Sequence, residues 1–324
     1  MSTVRKRWHR VAMAVMAATL SLGVVACGSD TEAAEGGESV TVKHKLGETT
    51  VTGTPTRIVA LGNQWLDAVQ ALGVTPVGYV DNVSVYAGGA TVPWEPAGLK
   101  DVKPLQAGAG IPEQVAELAP DLILAASFAV DQTTYEKLSK IAPVIVDLST
   151  AQVDPWQDQV KALGRVLHKE SEADKVVADV NAKIDGVAQK YPTLKGKTFL
   201  TCFLAGASQL MILADDKDGS AEMFTRLGMT VPPQLAAEAS KGGRLALSPE
   251  RIRDLTSDLL ICSAAGGDAT AYKNLPGYND LPAVKKDSAP IFDAVEISGL
   301  NQPTPLSVPY LLDKLEPSLA NAAK

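Results

Sequence analysis

Beyond its first 26 residues this 324-residue chain has two histidines, His44 and His168, and neither stands beside a nucleophile. A serine or cysteine hydrolase needs a base within hydrogen-bond reach of its nucleophile. His44 falls in a hairpin pattern and His168 at a helix end, away from the strand ends where such groups gather. Gly206-Ala-Ser208-Gln-Leu lacks the second glycine of a nucleophile elbow. The sequence has no Gly-rich phosphate loop of the Walker or dinucleotide type, and no His/Cys/Asp cluster at metal-ligand spacing. What remains is the chemistry of non-covalent binding, carried by aromatic and amide side chains that follow short apolar runs. Asn63, Gln64 and Trp65 follow the first run, and Tyr79, Tyr86 and Trp94 lie in or near the loop after the second. Phe128 follows the third beside Ser127, and Tyr272 follows residues 259–263. Aromatics make up only 5% of the chain, so this grouping carries information. Each one alone is also a sound packing residue, Trp65 above all, because it sits on an apolar helix stripe.

Cations are scarce among these loops. From Cys27 to Val160 the only arginine is Arg57, which precedes a strand. Arg226, Lys241 and Arg244 are the candidates in the second half, and Arg244, in Gly242-Gly-Arg-Leu245, is placed to line a cleft. Cys202 and Cys262 each end an apolar run that reads as a strand. They form a disulfide if those strands are neighbours of suitable geometry in an oxidising compartment, and are otherwise two buried thiols.

The elements that must position these residues alternate. Val40–Val42 and Thr49–Val51 predict a hairpin around 45–48. Short apolar runs at 57–61, 77–80, 121–125 and 144–147 predict buried strands, with helices at 64–72, 113–118 and 134–141. Such alternation argues for a parallel sheet covered on both faces. Helices at 156–168 and 171–190 follow with little loop between them. The second has an apolar stripe of Val176, Val177, Val180, Ile184, Val187 and Ala188, with Ser171 as N-cap and Pro192 as stop. A second α/β series then begins, with strands at 198–203, 259–263 and 291–294.

The halves look like copies. Pro112-Glu-Gln-Val-Ala-Glu-Leu-Ala-Pro-Asp-Leu-Ile-Leu124 aligns with Pro249-Glu-Arg-Ile-Arg-Asp-Leu-Thr-Ser-Asp-Leu-Leu-Ile261. Leu72-Gly-Val-Thr75 aligns with Leu227-Gly-Met-Thr230, and Ala142-Pro-Val-Ile-Val-Asp147 with Ala289-Pro-Ile-Phe-Asp293. Three matches in the same order suggest two similar α/β lobes joined by a helical rod.

The N-terminus reads as an export signal. Arg5, Lys6, Arg7 and Arg10 precede an uncharged run from Val11 to Ala26, shorter than the roughly 18–20 residues of a spanning helix. The run ends in Val24-Val25-Ala26-Cys27, which resembles a bacterial lipobox, so Cys27 is the expected lipidation site. The expected organisation is a signal peptide at 1–26, a flexible lipid-anchored tether at 27–39, an N-terminal lobe at 40–155, a helical linker at 156–192 and a C-terminal lobe at 193–324. Removing the signal leaves 26 basic residues against 37 acidic ones, a formal charge of −11, which disfavours nucleic acid as a partner.

Pro55-Thr-Arg-Ile-Val-Ala-Leu-Gly62, Asp67-Ala-Val-Gln-Ala-Leu-Gly-Val74, Pro112–Leu124, Ile141-Ala-Pro-Val144, Leu227-Gly228 and Leu275 through Asp293 carry a resemblance. Their order and spacing resemble the substrate-binding lipoproteins of ABC importers for ferric siderophores, haem and cobalamin. The resemblance runs from about Val40 to Leu315. It implies the class III periplasmic-binding-protein fold: α/β, two similar lobes with mainly parallel sheets joined by a single long α-helix, with ligand in the cleft. It implies a monomer with no intrinsic cofactor and no direct metal site, anchored to the extracytoplasmic face of the cell membrane. It also implies one glutamate on each lobe, Glu113 and Glu250, that docks onto the permease subunits. Each glutamate follows a proline at a helix start, which local chemistry favours on its own. One or two cations suit a neutral or weakly charged chelate such as a ferric hydroxamate better than an anionic ferric catecholate. Haem stays open through Tyr79, Tyr86, Tyr272 and Tyr278 as axial ligands, and cobalamin stays open as well. A surface-anchored α/β hydrolase is the alternative of another class, and the histidine placement argues against it.

Overall fold

The computed structural model describes residues 38–324 apart from 109, 206–208, 240–242 and 265–269. The segments expected to be signal peptide and tether, with Cys27, lie outside the described residues except for Glu38 and Ser39. Ser39–His44 (β1) and Gly47–Thr52 (β2) form an antiparallel hairpin around Lys45-Leu46. Ile58–Leu61 (β3), Asn63–Ala71 (α1), Gly78–Val80 (β4), Asn82–Tyr86 (α2), Lys103–Pro104 (β5) and Ile111–Glu117 (α3) follow. Leu122–Ala125 (β6), Gln132–Leu138 (α4) and Val144–Ile145 (β7) complete the first half. Its five strands pair in the order β5-β4-β3-β6-β7, all parallel.

The strands of this sheet are continuous apolar runs because both faces are covered. Ile58 and Ala60 of β3 and Leu122 and Leu124 of β6 point into one core, which continues through Trp65 and Trp156 to Phe199 and Phe224. Val59, Leu61, Ile123 and Ala125 point into a second core with Ile111, Val115 and Leu138 of α3 and α4. The period-two alternation of a strand thus divides one apolar run between two layers.

Trp156–Val166 (α5) packs on α1, and Glu170–Lys190 (α6) packs back on α5. At 21 residues α6 is about 32 Å long. It buries Ala173, Val177, Val180 and Ile184, one stripe at helical spacing. The helix begins at Glu170, with Lys169 as an N-cap that makes no side-chain bond, so Ser171 lies inside the helix instead of capping it. Glu170 and Glu172 in the first turn supply favourable charge there in place of a cap.

The second half contains Phe199–Ala205 (β8), Gln209–Leu213 (β9), Glu222–Arg226 (α7), Pro233–Glu238 (α8), Arg244–Leu247 (β10) and Leu259–Ala264 (β11). Thr270–Lys273 (α9), Pro282–Lys285 (α10), Ala294–Asn301 (α11) and Ser307–Ala322 (α12) end the chain, and α6 also packs on α7 and α12. The sheet order is β10-β9-β8-β11, with only β8–β11 parallel. This corrects the expectation of two mainly parallel sheets, because the second is mixed. The repeat survives beneath that difference. Thr198 makes a parallel bridge to Thr230, as β3 pairs with β4, and Cys262 makes one to Ile291, as β6 pairs with β7. The strand expected at 291–294 is only that bridge, because the Asp293–Glu296 capping box starts α11 at Ala294.

The aligned aspartates have the same structural role. Asp121 accepts hydrogen bonds from the backbone N–H groups of Thr56 and Arg57, both at 2.8 Å. Asp258 accepts from Thr198 N at 2.9 Å and Thr198 Oγ1 at 3.0 Å. Each carboxylate staples the start of its own strand to the start of the neighbouring strand. Among the described residues no helix is long and apolar enough to cross a membrane.

Candidate functional site

The strands of the first sheet end toward a cavity of about 780 Å³ whose other wall comes from the second half. That volume suits a ligand of several hundred daltons. Ligands of open parallel sheets lie outside the carboxyl ends of the strands. Asn82 and Tyr86 reach the cavity after β4, Ser127 and Phe128 after β6, and Asp147 after β7. Phe203 of β8, Met211 of β9, Arg244 of β10 and the α11 end with Gln302 face them.

Gly62 ends β3 with φ +129°, and a Cβ there would stand 2.9 Å from Ala126 Cβ and 3.3 Å from the Phe128 ring. Only glycine fits both the backbone and the approach. Asn63 then builds the opposite rim. Its side chain donates to Asp81 Oδ1 at 2.8 Å and accepts from Val83 N at 3.0 Å, while Asp81 caps α2 through Ser84 N at 2.8 Å. Asn82 Oδ1 in turn accepts from Asn63 N. This network fixes the short α2, which presents Tyr86 toward Phe203 with ring centroids 6.4 Å apart. Asn82 Nδ2 also donates to Gln302 Oε1 at 3.0 Å, joining the two walls.

Tyr86 and Phe128 remain 56% and 59% exposed. With Val85 they are the large hydrophobic side chains left exposed among the described residues, and both line the cavity. Exposed apolar side chains gathered at a concave surface mark a binding site.

Of the sequence candidates, Tyr86, Phe128 and Arg244 line this cavity. The others do not, and each has a structural reason. Asn63 and Trp65 are 1% exposed, Asn63 in the rim network and Trp65 in the core. Gln64 is buried and donates to Pro303 O at 3.0 Å. Tyr272 is fully buried beneath β8 and β11, donating to the Ser263 and Cys202 carbonyls. Tyr79 is half-buried on β4, its phenol pushed up by burial and by Glu95 and Asp81. Trp94 bridges the halves: its Nε1 donates to Asp67 Oδ2 at 3.1 Å and its ring packs on Tyr310 at 5.6 Å. Apolar or amide character at a strand end therefore marked both the rim and the packing behind it.

Several lining residues were missing from the sequence reading: Lys45, Asn82, Asp147, Met211 and Gln302. Lys45 sits in the hairpin turn and arrives through its backbone N–H, which donates to Asp147 O at 2.8 Å. Asp147 was visible as the polar residue ending the last apolar run. Lys45 had no local signal, because its place depends on the hairpin docking on β7.

Each lining cation has an acid near it on its own half, Lys45 near Asp147 and Arg244 near Asp218. Arg244 Nη2 donates to Ser220 Oγ at 3.2 Å and Asp218 Oδ1 at 3.4 Å. Burial raises the Asp147 carboxyl above its ordinary range, while the Ser127 bonds and the Lys45 ammonium pull it down. Burial also raises the Tyr86 phenol.

Cys202 and Cys262 are directly opposite on β8 and β11, as neighbouring strands require, but both are free and buried. Parallel side chains on adjacent strands hold their Cβ atoms near the interstrand spacing of about 4.8 Å, wider than a disulfide prefers. Burial pushes the Cys202 thiol up to about 12 and the Cys262 thiol well above its usual value. Glu113 and Glu250 are exposed, each in the first turn after a proline, Glu113 on α3 and Glu250 on the 3-10 helix Pro249–Leu255.

Comparison with known proteins gives this geometry a family. The model of the periplasmic binding protein family matches residues 56–289. The Fe(3+)-citrate-binding protein YfmC of Bacillus subtilis is 28% identical over 267 residues, 80% of this chain and 79% of that protein. The iron(3+)-hydroxamate-binding protein FhuD of the same organism is 23% identical over 298 residues, 86% of this chain and 88% of that protein. The crystal structure of Streptococcus pneumoniae PiaA in complex with ferrichrome aligns with a TM-score of 0.72 and 26% identity, covering 88% of this chain and 98% of that one. With two α/β halves on a long helix and an aromatic-rimmed cavity between them, this chain belongs to the periplasmic binding protein family and is a binding protein, not an enzyme.

Proposed function

We propose that this protein captures a ferric hydroxamate in its interlobe cavity and hands it to an ABC importer. The observation that carries the reading is the balance of the cavity wall. Two exposed rings, Tyr86 and Phe128, face a lining whose cations each lie near an acid, Lys45 by Asp147 and Arg244 by Asp218. Such a wall covers the aliphatic arms of a neutral chelate at little electrostatic cost. A trianionic ferric catecholate would find only these two cations in the lining, each already offset by an acid near it. The similarity to proteins named for ferric citrate and ferric hydroxamate binding, and to one solved with ferrichrome, supports an iron chelate as the class.

The chelator's own oxygens hold the iron. Among the described residues no group of three or more His, Cys, Asp and Glu could hold a metal ion. Of the His, Tyr and Met side chains a haem would prefer as axial ligand, the described lining of the cavity holds Tyr86 and Met211.

In this reading Cys27 carries the lipid, and the tether of about a dozen residues keeps the protein at the extracytoplasmic face. That raises its effective concentration at the permease. Glu113 and Glu250, one on each half, are the docking residues. Calorimetric titration tests the ligand. A neutral ferric hydroxamate is expected to bind at least about a hundredfold more tightly than a ferric tris-catecholate, the equivalent of about 3 kcal/mol. A preference for the catecholate, for ferric citrate, for haem or for cobalamin would overturn the choice.

A further inference from the structure

We propose that Asp147 makes the cavity selective for chelates that carry a pendant ammonium group. The inference rests on the hydroxamate reading and adds which members of that class are preferred.

Asp147 is the one acid among the described residues lining the cavity. Its position is fixed on three sides. It follows β7, its backbone carbonyl accepts from Lys45 N at 2.8 Å, and its Oδ2 accepts from Ser127 N at 2.9 Å. A carboxylate held this firmly loses little entropy when it meets a ligand. Its Oδ1 takes no hydrogen bond among the described residues, and it is not among the buried unpartnered atoms, so it is open to the cavity.

The local charge favours a cation. Lys45 acts on Asp147 from a distance but forms no ion pair with it within 4 Å. Asp154 lies behind and acts in the opposite sense. The Asp154 carboxylate is occupied by Leu148 N at 2.5 Å, Ser149 N at 3.1 Å and Ser149 Oγ at 2.6 Å. Two carboxylates therefore stand against one ammonium at this end of the cavity. The opposite wall differs, since Arg244 there is engaged with Asp218 and Ser220. A chelate with a neutral iron centre and one terminal ammonium would place its core between Tyr86 and Phe128 and its charge at Asp147. Burial weakens ionisation of Asp147. An arriving ammonium reverses that, because an opposite charge stabilises the ionised form.

The test uses a linear ferric trihydroxamate ending in a primary amine and the same chelate with that amine acetylated. Both are titrated by calorimetry into wild-type protein and Asp147→Asn near neutral pH. The wild type is expected to bind the amine form about tenfold more tightly than the acetylated form. Asp147→Asn, which keeps an acceptor for Ser127 N, is expected to bring that ratio to about one. Raised salt should shrink the wild-type ratio, which reports the charge without any substitution. Equal binding of both forms by the wild type, or a preference that survives in Asp147→Asn, overturns this inference and leaves the hydroxamate reading standing. Failure of both forms to bind the wild type overturns the hydroxamate reading and this inference together.

Discussion

Replacing Asp67 with asparagine should change how stability depends on pH, and the size of the change follows from the site. Asp67 lies on α1 and is fully buried. Its Oδ2 accepts from Thr304 Oγ1 at 2.6 Å and from Trp94 Nε1 at 3.1 Å, while Oδ1 has no partner. Burial raises its carboxyl from 3.8 to about 7, against the two hydrogen bonds and with Asp81 adding repulsion. An acid whose folded pKa is raised stabilises the fold fully only below its unfolded pKa. That contribution is lost as pH climbs from the unfolded value through the folded one. At 1.36 kcal/mol per unit the whole loss is about 4 kcal/mol. By about pH 5 roughly 1.6 kcal/mol has gone, because the unfolded chain has already released its proton. Between about pH 5 and about pH 8.5 the wild type therefore loses about 3 kcal/mol more at this site. The amide of the Asp67→Asn variant would keep an acceptor for Trp94 and Thr304 and lose nothing by ionisation. Glu95, pushed up to about 8 chiefly by burial and then by Asp81 and Asp67, contributes a loss of the same sign in both proteins. Urea unfolding at the two pH values is the assay. The stability difference between Asp67→Asn and wild type should move in favour of the variant by about 3 kcal/mol from the lower to the higher pH. A difference that does not change with pH would mean that Asp67 does not titrate with a raised pKa in the folded protein.

Other outcomes follow from single contacts. Glu113→Arg combined with Glu250→Arg should abolish uptake by cells while leaving chelate affinity within about twofold; lost chelate binding would sink the docking assignment. Asp258→Ala removes the acceptor of Thr198 N and Oγ1 and should cost about 1.5–3 kcal/mol in denaturant unfolding. A change below about 0.5 kcal/mol would mean that the staple is incidental. Gly299→Ala would bring a Cβ to 2.6 Å from Trp94 Cη2 and should destabilise by about 1–3 kcal/mol with a shift in tryptophan emission; an unchanged melt and spectrum would contradict that contact. A thiol reagent should label Cys202 and Cys262 only once denaturant opens the sheet, and labelling of the native protein within seconds would contradict their burial.

The elements of the first half were legible because each is an apolar run of one clear period. The strands expected at 57–61 and 121–125 form as Ile58–Leu61 and Leu122–Ala125, and the helix expected at 64–72 forms as Asn63–Ala71. The repeat was legible through Asp121 and Asp258, whose matched bonding shows why both segments keep an aspartate before the strand. The antiparallel β9 and β10 were not legible, because their pairing with β8 is set by tertiary contact and their apolar runs resemble those of parallel strands. The cavity was half legible. Tyr86 and Phe128 are unusual in being aromatic and exposed, but sequence alone could not separate them from Trp65 and Tyr272, which are aromatic and buried. Lys45 and Gln302 reach the cavity through contacts far apart in the chain, Gln302 through Asn82, 220 positions away. No local pattern encodes such a meeting.

In the proposed complex an iron chelate sits between the two halves, against Tyr86 and Phe128. Crystals grown with a ferric hydroxamate and measured at the iron absorption edge test it most directly. One strong anomalous peak is expected inside the cavity, between Phe128 and Tyr86 on one wall and Met211 and Arg244 on the other. An iron peak outside that cavity, or bonded to a protein side chain, would contradict it.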